Sequence, residues 1–241
     1  MWGISLMACF FLGSYIFRKC NKDEEKVTII IQYAFVFGLI GARLAHVFLY
    51  SPAYYLANPI EIPQVWHGGL ASHGGVVGGL IGLYIFCRRN KEFDFFWTLD
   101  HGIIVVMILA SFIRFGNLMN SELYGKPTQM PWGFIFEQVD NVPRHPVVLY
   151  ESIAYLLIQF LMLYLFNRYR DSKPGIYLVV FLLLTFSVRF MLEFFKVPDG
   201  DMILGVISKT QALNLPFIAA GVILLYYVAT GKLRYKQAAN G

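Results

Sequence analysis

Apolar blocks close to the length of a membrane span recur along almost the whole chain, and no other feature restricts the possible folds as tightly. Seven stand out: Trp2–Phe17, Thr28–Tyr50, Gly69–Phe86, Phe95–Phe112, Val147–Phe166, Ile176–Phe195 and Leu213–Thr230. A helix needs roughly 17–25 apolar residues to cross a bilayer. Hydrocarbon offers the backbone no hydrogen-bond partner, so each crossing segment must satisfy itself as a helix. The blocks predict an all-α polytopic membrane protein with about seven transmembrane helices, residues 1–241 forming a single integral-membrane domain. Composition agrees, with 57% of the 241 residues hydrophobic and only 15% charged. A soluble domain would carry roughly 25% charged residues.

The basic residues cluster between blocks. Arg18, Lys19, Lys22 and Lys26 follow the first block, and Arg88, Arg89 and Lys91 follow the third. Arg168, Arg170 and Lys173 follow the fifth, and Lys232, Arg234 and Lys236 lie in the tail. If every block spans, these loops share one side, and the positive-inside rule makes that side cytoplasmic. The N-terminus is then expected outside and the C-terminus in the cytoplasm. Orientation thus accounts for the net charge of +5, and no nucleic acid is expected as a partner. Cys9, Cys20 and Cys87 show neither C-x-x-C nor Cys/His spacing, so no disulfide framework and no metal site is expected. No cleavable leader is evident, since the first block runs from Trp2 without a basic lead.

The costly polar residues fall on the other side. Arg43 lies near the outer end of block two, His73 near the start of block three, and Arg189 and Glu193 near the outer end of block six, one helical turn apart. Arg114 is expected to begin the outer loop after block four. It opens a dense stretch, Ile113–Lys126, that also holds Asn117, Asn120, Glu122 and Gly125. Ionisable groups at the edge of hydrocarbon are expensive and mark functional sites. Arg43, Arg114 and Arg189 offer the paired donors that suit a phosphate. The competing reading pairs Arg189 with Glu193 and Arg114 with Glu122, with Glu151 as a further offset. Three arginines exceed the two nearby acids, so an anion such as a phospholipid headgroup is a natural guest. Asn117 and Asn120, three residues apart, either bind substrate or brace the loop. His73 can exchange a proton near neutral pH, the alternative being a packing residue at a helix end. Gly74 and Gly75 beside it would let a ligand approach the backbone, whereas Gly78, Gly79 and Gly82 suit close helix packing. Gly125 with Pro127 predicts a turn. Tyr50, Tyr54 and Tyr55 read as interfacial anchors, and Gln211 carries no assigned chemistry.

These residues together resemble the prolipoprotein diacylglyceryl transferase family. The resemblance rests on G-A-R-L at Gly41–Leu44, W-H-G-G-L-A-S-H-G-G at Trp66–Gly75 and R-F-G-N-L-M-N-S-E-L-Y-G at Arg114–Gly125. It continues in R-H-P-V-V-L-Y-E at Arg144–Glu151 and R-F-M-L-E-F-F at Arg189–Phe195. Ile113, Leu118 and Thr185 depart from the family pattern. The resemblance implies seven spans in the bacterial inner membrane and a site opening toward the outer leaflet. It also implies transfer of diacylglyceryl from phosphatidylglycerol to the lipobox cysteine of a prolipoprotein, releasing glycerol phosphate. The family's important positions fall on His73, Arg114, Asn117, Asn120, Glu122, Arg189 and Glu193, and no cofactor, metal or nucleotide is implied. The rival readings are a transporter or receptor for an anionic solute and an inactive lipid-binding relative. The nearly pure apolar inner halves of the blocks count against a through-path.

Overall fold

A computed structural model describes residues 2–197 and 207–235; Lys236, counted above with the basic tail, lies outside them. The helices are α1 (Trp2–Lys19), α2 (Glu25–Ala45), α3 (Pro52–Ala57), α4 (Ser72–Arg89), α5 (Phe95–Met119), α6 (Val147–Tyr169), α7 (Ile176–Val180), α8 (Phe186–Leu192) and α9 (Lys209–Ala229). Two short strands, β1 (Phe134–Ile135) and β2 (Pro143–Arg144), pair antiparallel with Phe134 opposite Arg144. A π turn at His46–Tyr50 extends α2, and another at Phe181–Thr185 joins α7 to α8. Among the described residues five rods are long and apolar enough to cross a membrane: Glu25–Tyr50, Phe95–Met119, Val147–Tyr169, Ile176–Phe195 and Lys209–Ala229. The first and third expected blocks form helices of 18 residues each, α1 and α4. Glycines between His73 and the Arg88–Arg89 pair dilute the apolar content of α4. The chain is therefore mostly helical, with several helices suited to a membrane.

The described chain divides into two compact units. One contains the residues up to Gly13 with Asp100–Tyr235, and the other contains Ser14–Leu99. In the Ser14–Leu99 unit, α2 and α4 pack backbone to backbone. A methyl group on Gly41 would overlap the Gly74 carbonyl oxygen, and one on Gly78 would overlap the Phe37 carbonyl oxygen. Small residues are what permit this approach, which brings dispersion contacts along the whole seam. Phe93 stacks on Phe17 at 5.5 Å between ring centroids and tilts against Phe86 at 5.3 Å, closing one end of the unit.

In the other unit, Asp100 is fully buried at the start of α5. Its carboxylate accepts hydrogen bonds from the backbone N–H of Gly175 at 2.8 Å and of Leu178 at 2.7 Å, and from the Tyr235 hydroxyl at 2.7 Å. The first N–H groups of a helix have no partner within it, so Asp100 caps the rod that begins at Ile176. Gly175, at φ 88°, turns the chain into that rod in a conformation that favours glycine. The last long helix, α9, starts four residues before the apolar block does. A capping box sets its start: the Ser208 hydroxyl accepts from Gln211 N–H at 3.1 Å, and the Gln211 side chain accepts from Ser208 N–H at 2.9 Å. Gln211, given no chemistry above, therefore has a structural role.

Candidate active site

The apolar pattern stops at Phe112, but α5 continues to Met119. Arg114 and Asn117 thus sit in the last turns of a helix, not at the start of a loop as expected. Arg114 is tolerated there because its charge is met at once. Its Nε lies 2.8 Å from Oε2 of Glu151, a residue of α6 that is 0% exposed. The other Glu151 oxygen accepts a hydrogen bond from Lys196 Nζ, also at 2.8 Å. Lys196 in turn lies 3.5 Å from Glu193 Oε2. One buried carboxylate is thus shared by two cations far apart in sequence; left unpaired, it would be strongly destabilising.

The two simple ion pairs expected from spacing do not form. Arg114 turns to Glu151 rather than Glu122. Glu193 accepts from the Ser208 hydroxyl at 3.1 Å and faces Lys196 rather than Arg189. Among the described residues Arg189 has no ion pair, and its buried Nε has no acceptor. Tyr155, buried one turn beyond Glu151 on α6, lies close enough to feel the charges of Arg114, Arg189 and Glu151. The cluster holds three cations (Arg114, Arg189 and Lys196) against two carboxylates, a positive balance.

Unused hydrogen-bonding capacity occurs in this region as well. Asn117 Oδ1, Glu151 Oε2, Arg189 Nε and Glu193 Oε2 are buried without a hydrogen-bond partner. For Glu151 Oε2 the contact with Arg114 is close enough for an ion pair but lacks hydrogen-bond alignment. Buried polar groups are nearly always satisfied in folded proteins, so a group of exceptions calls for an explanation. Of these four atoms only Arg189 Nε donates and so suits an anion, whereas the three oxygens accept and suit a ligand's hydroxyl donors.

The turn after α5 closes over this region. The Glu122 carboxylate accepts from Asn117 Nδ2 at 2.5 Å and from Asn120 Nδ2 at 3.3 Å. Ser121 and Leu123 adopt left-handed conformations, at φ 55° and 54°, and the two amides brace the strained turn around one carboxylate. Gly125 does not serve as a turn residue. It pairs strand-like with Lys196, and its N–H donates to His145 O at 3.0 Å. Lys126 N–H donates to Phe195 O at 2.8 Å. This backbone lattice fixes Lys196 beside Glu151. Leu118, where the family pattern differs, is 5% exposed and packs with Phe136 and Val148. In the β1–β2 hairpin, Arg144 donates from Nε at 3.2 Å and Nη2 at 2.5 Å to Asp140, holding that carboxyl below its usual range. The Arg144 guanidinium also lies over the Tyr124 ring, 5.2 Å from its centroid.

The sequence pattern of the family described as prolipoprotein diacylglyceryl transferase matches residues 1–227. The chain belongs to this family. A phosphatidylglycerol–prolipoprotein diacylglyceryl transferase of Tolumonas auensis is 41% identical over 239 residues, covering 97% of this chain and 93% of the relative. The protein of the same name from Chloroherpeton thalassium is 44% identical, covering 93% of this chain and 86% of its own length. A third, from Nitrosomonas europaea, is 38% identical, with coverages of 93% and 82%.

The other two candidates of this transferase-family chain lie in the Ser14–Leu99 unit. Arg43, expected to bind an anion, is 4% exposed and already engaged. Its Nε donates to Ile62 O at 2.7 Å, Nη1 to Gly68 O at 2.7 Å and Gly69 O at 3.2 Å, and Nη2 to Glu61 O at 2.6 Å. The guanidinium also covers the ring of Tyr55, which is buried under it and not an exposed anchor. Arg43 is a clamp for the loop that leads to His73. A side chain on Gly69 would strike both Arg43 and His46, and Gly69 has φ 71°, so glycine is required there twice over. His73 is exposed in the first turn of α4. It lies at a shallow groove of about 330 Å³ lined by Gly41, Ala45, Leu49, Gly74, Val77 and Ile81.

Sequence reasoning passed over Lys196 and Ser208 and gave Glu151 too small a part. Glu151 had a signal, a lone carboxylate about one turn inside an apolar block. Ser208 had one in S-x-x-Q before the last block. Lys196 had only its three-residue spacing from Glu193.

Proposed function

We propose that this chain transfers the diacylglyceryl group of phosphatidylglycerol to the lipobox cysteine thiol of a prolipoprotein, releasing glycerol phosphate, the first step of bacterial lipoprotein maturation. Family membership and the names of the relatives support the activity. The observation that carries the chemistry is the positive cluster of Arg114, Arg189 and Lys196 around Glu151 and Glu193. In this reading the chain crosses the inner membrane seven times, with the N-terminus outside and the C-terminus cytoplasmic. The site opens toward the outer leaflet, where its partners are phosphatidylglycerol, other membrane lipids and the prolipoprotein.

The cysteine sulfur forms a bond to the terminal glycerol carbon of the diacylglyceryl group. The bond from that carbon to the phosphate oxygen breaks, and its electron pair leaves with glycerol phosphate. A phosphodiester thereby becomes a phosphomonoester, and negative charge builds on the departing group. Arg114 and Arg189 hold that phosphate and stabilise the developing charge. Thiolate is the attacking form of cysteine, and His73 takes the thiol proton as general base. Asn117, Asn120 and Glu122 hold the turn that closes over the headgroup, and Glu193 keeps Lys196 and Ser208 in place.

The test supplies purified protein with phosphatidylglycerol labelled in its diacylglyceryl part and a lipobox peptide. Arg114→Ala should lower transfer by about 10²–10³-fold, the usual cost of removing a group that stabilises transition-state charge. Full transfer by that variant would remove the phosphate role. Near-normal turnover by His73→Gln would remove the histidine as base. Binding or flux of an anionic solute without any transfer would favour the transporter reading.

A further inference from the structure

We propose that Glu151 is a positioning residue for this reaction, acting through Arg114 and Lys196. Its two oxygens fix one cation each, so that both present their remaining donors to the phosphate. The inference rests on the transfer reaction proposed above and names a residue to which that reaction gave no role.

The geometry is specific. Arg114 meets Glu151 through Nε at 2.8 Å and also bonds the Tyr155 side chain, which leaves further N–H donors on its terminal nitrogens. A phosphate is recognised best by two such donors in parallel. The close charge contact keeps the guanidinium against Glu151 and so restricts where they point. Lys196 meets the second Glu151 oxygen at 2.8 Å and keeps further N–H donors. Its backbone is fixed independently by the pairing with Gly125, so its ammonium reaches the carboxylate from a held base. Glu151 itself is 0% exposed and sits on α6, a helix of 23 residues tied to α5 by the Ser152 hydroxyl, which donates to Ser111 O at 3.0 Å. A rigid, dry support of this kind is what a charge-stabilising site needs, because its dipoles must already point correctly when charge develops.

Charge balance alone gives a competing account. With Glu151 and Glu193 ionised, the three cations leave one positive charge uncompensated, and Glu151 would matter only as a counter-charge. Two variants separate the accounts. Glu151→Gln removes the charge and raises the positive balance. Glu151→Asp keeps the charge, and with it the original balance, but withdraws the carboxylate from Arg114 and Lys196 by one methylene.

The experiment measures kcat and KM for phosphatidylglycerol in purified full-length protein, alongside thermal unfolding. Positioning predicts that kcat falls roughly tenfold or more in both variants, as expected for a misplaced catalytic group, while KM changes little. Wild-type kcat in Glu151→Asp would overturn the proposal and leave a counter-charge. Wild-type kcat in Glu151→Gln alone would also overturn it. If Glu151→Gln does not fold, Glu151→Asp decides alone. Reduced kcat at unchanged KM is then expected, and unchanged kcat refutes the idea. Transfer by wild-type protein, measured in the same series, separates failure of this inference from failure of the reaction assignment.

Discussion

Gly125→Ala tests whether close backbone packing, rather than a turn, requires glycine at the end of the signature stretch. The added methyl would lie 2.7 Å from His145 Cβ and 2.8 Å from Phe195 O, and closer still to His145 O. Carbon contacts are comfortable at about 3.5–4.0 Å, so the overlap is close to 1 Å on several sides. Two of the three atoms are backbone, and no side-chain rotation relieves them. Overpacking of this kind costs about 1–3 kcal/mol. The Gly125-to-His145 and Lys126-to-Phe195 hydrogen bonds would stretch as well, each contributing about 1 kcal/mol. The expected loss is about 3 kcal/mol, which for a chain of this size lowers the unfolding temperature by about 6–12 °C. The assay is thermal unfolding of the purified protein in a fixed detergent or lipid. Gly102→Ala is the control, because nothing lies within 4 Å of the new methyl there and alanine favours the helix. An unchanged unfolding temperature in Gly125→Ala, or an equal fall in Gly102→Ala, would refute the packing argument.

Two further outcomes follow from the loops. Arg43→Lys replaces a fork that serves four carbonyls with a single ammonium, so the loop around residues 61–69 should open more often. A loss of about 3 kcal/mol corresponds to roughly hundredfold faster limited proteolysis there when cleavage follows the open population, and unchanged cleavage would count against the clamp. In the β1–β2 hairpin, Arg144 holds the Asp140 carboxyl below its usual range. The pair's contribution is therefore whole above the ordinary carboxylate pKa of about 3.9 and is lost as pH falls through the lower folded value. Hydrogen-exchange protection of residues 127–144 should match at pH 7 and pH 5 and drop only in stronger acid, whereas Asp140→Asn should lose it at pH 7. Loss in the wild type at pH 5 would contradict this.

The helices were legible in the sequence because bilayer-length apolar runs admit few other structures. The rod Ile176–Phe195 begins and ends where the apolar block does. The misreadings arose where a charge interrupts an apolar pattern. At Arg114 the run stops while the helix goes on, because a carboxylate 37 positions later meets the guanidinium. No local spacing carries that information. Arg43 shows the same limit in reverse. Its sequence context marked a costly charge, but the partners are carbonyls of a loop 18 to 26 positions away. The nearby acids, Glu122 for Arg114 and Glu193 for Arg189, were natural guesses from helical spacing. Glu122 instead serves the two asparagines, and Glu193 serves Lys196 and Ser208. Gly125 was read through Pro127 as a turn, when its constraint comes from His145 and Phe195 across the chain. Motif residues were thus found by type and order, whereas their pairing depended on contacts between distant segments.

The central claim is that the cluster around Arg114 and Arg189 serves a group transfer from phosphatidylglycerol to a thiol. The most direct measurement is the mass of a lipobox peptide after incubation with the purified protein and phosphatidylglycerol, read together with released glycerol phosphate. The account predicts a diacylglyceryl adduct on the cysteine and one glycerol phosphate for each adduct. An unmodified peptide, or an adduct formed without glycerol phosphate, would contradict it.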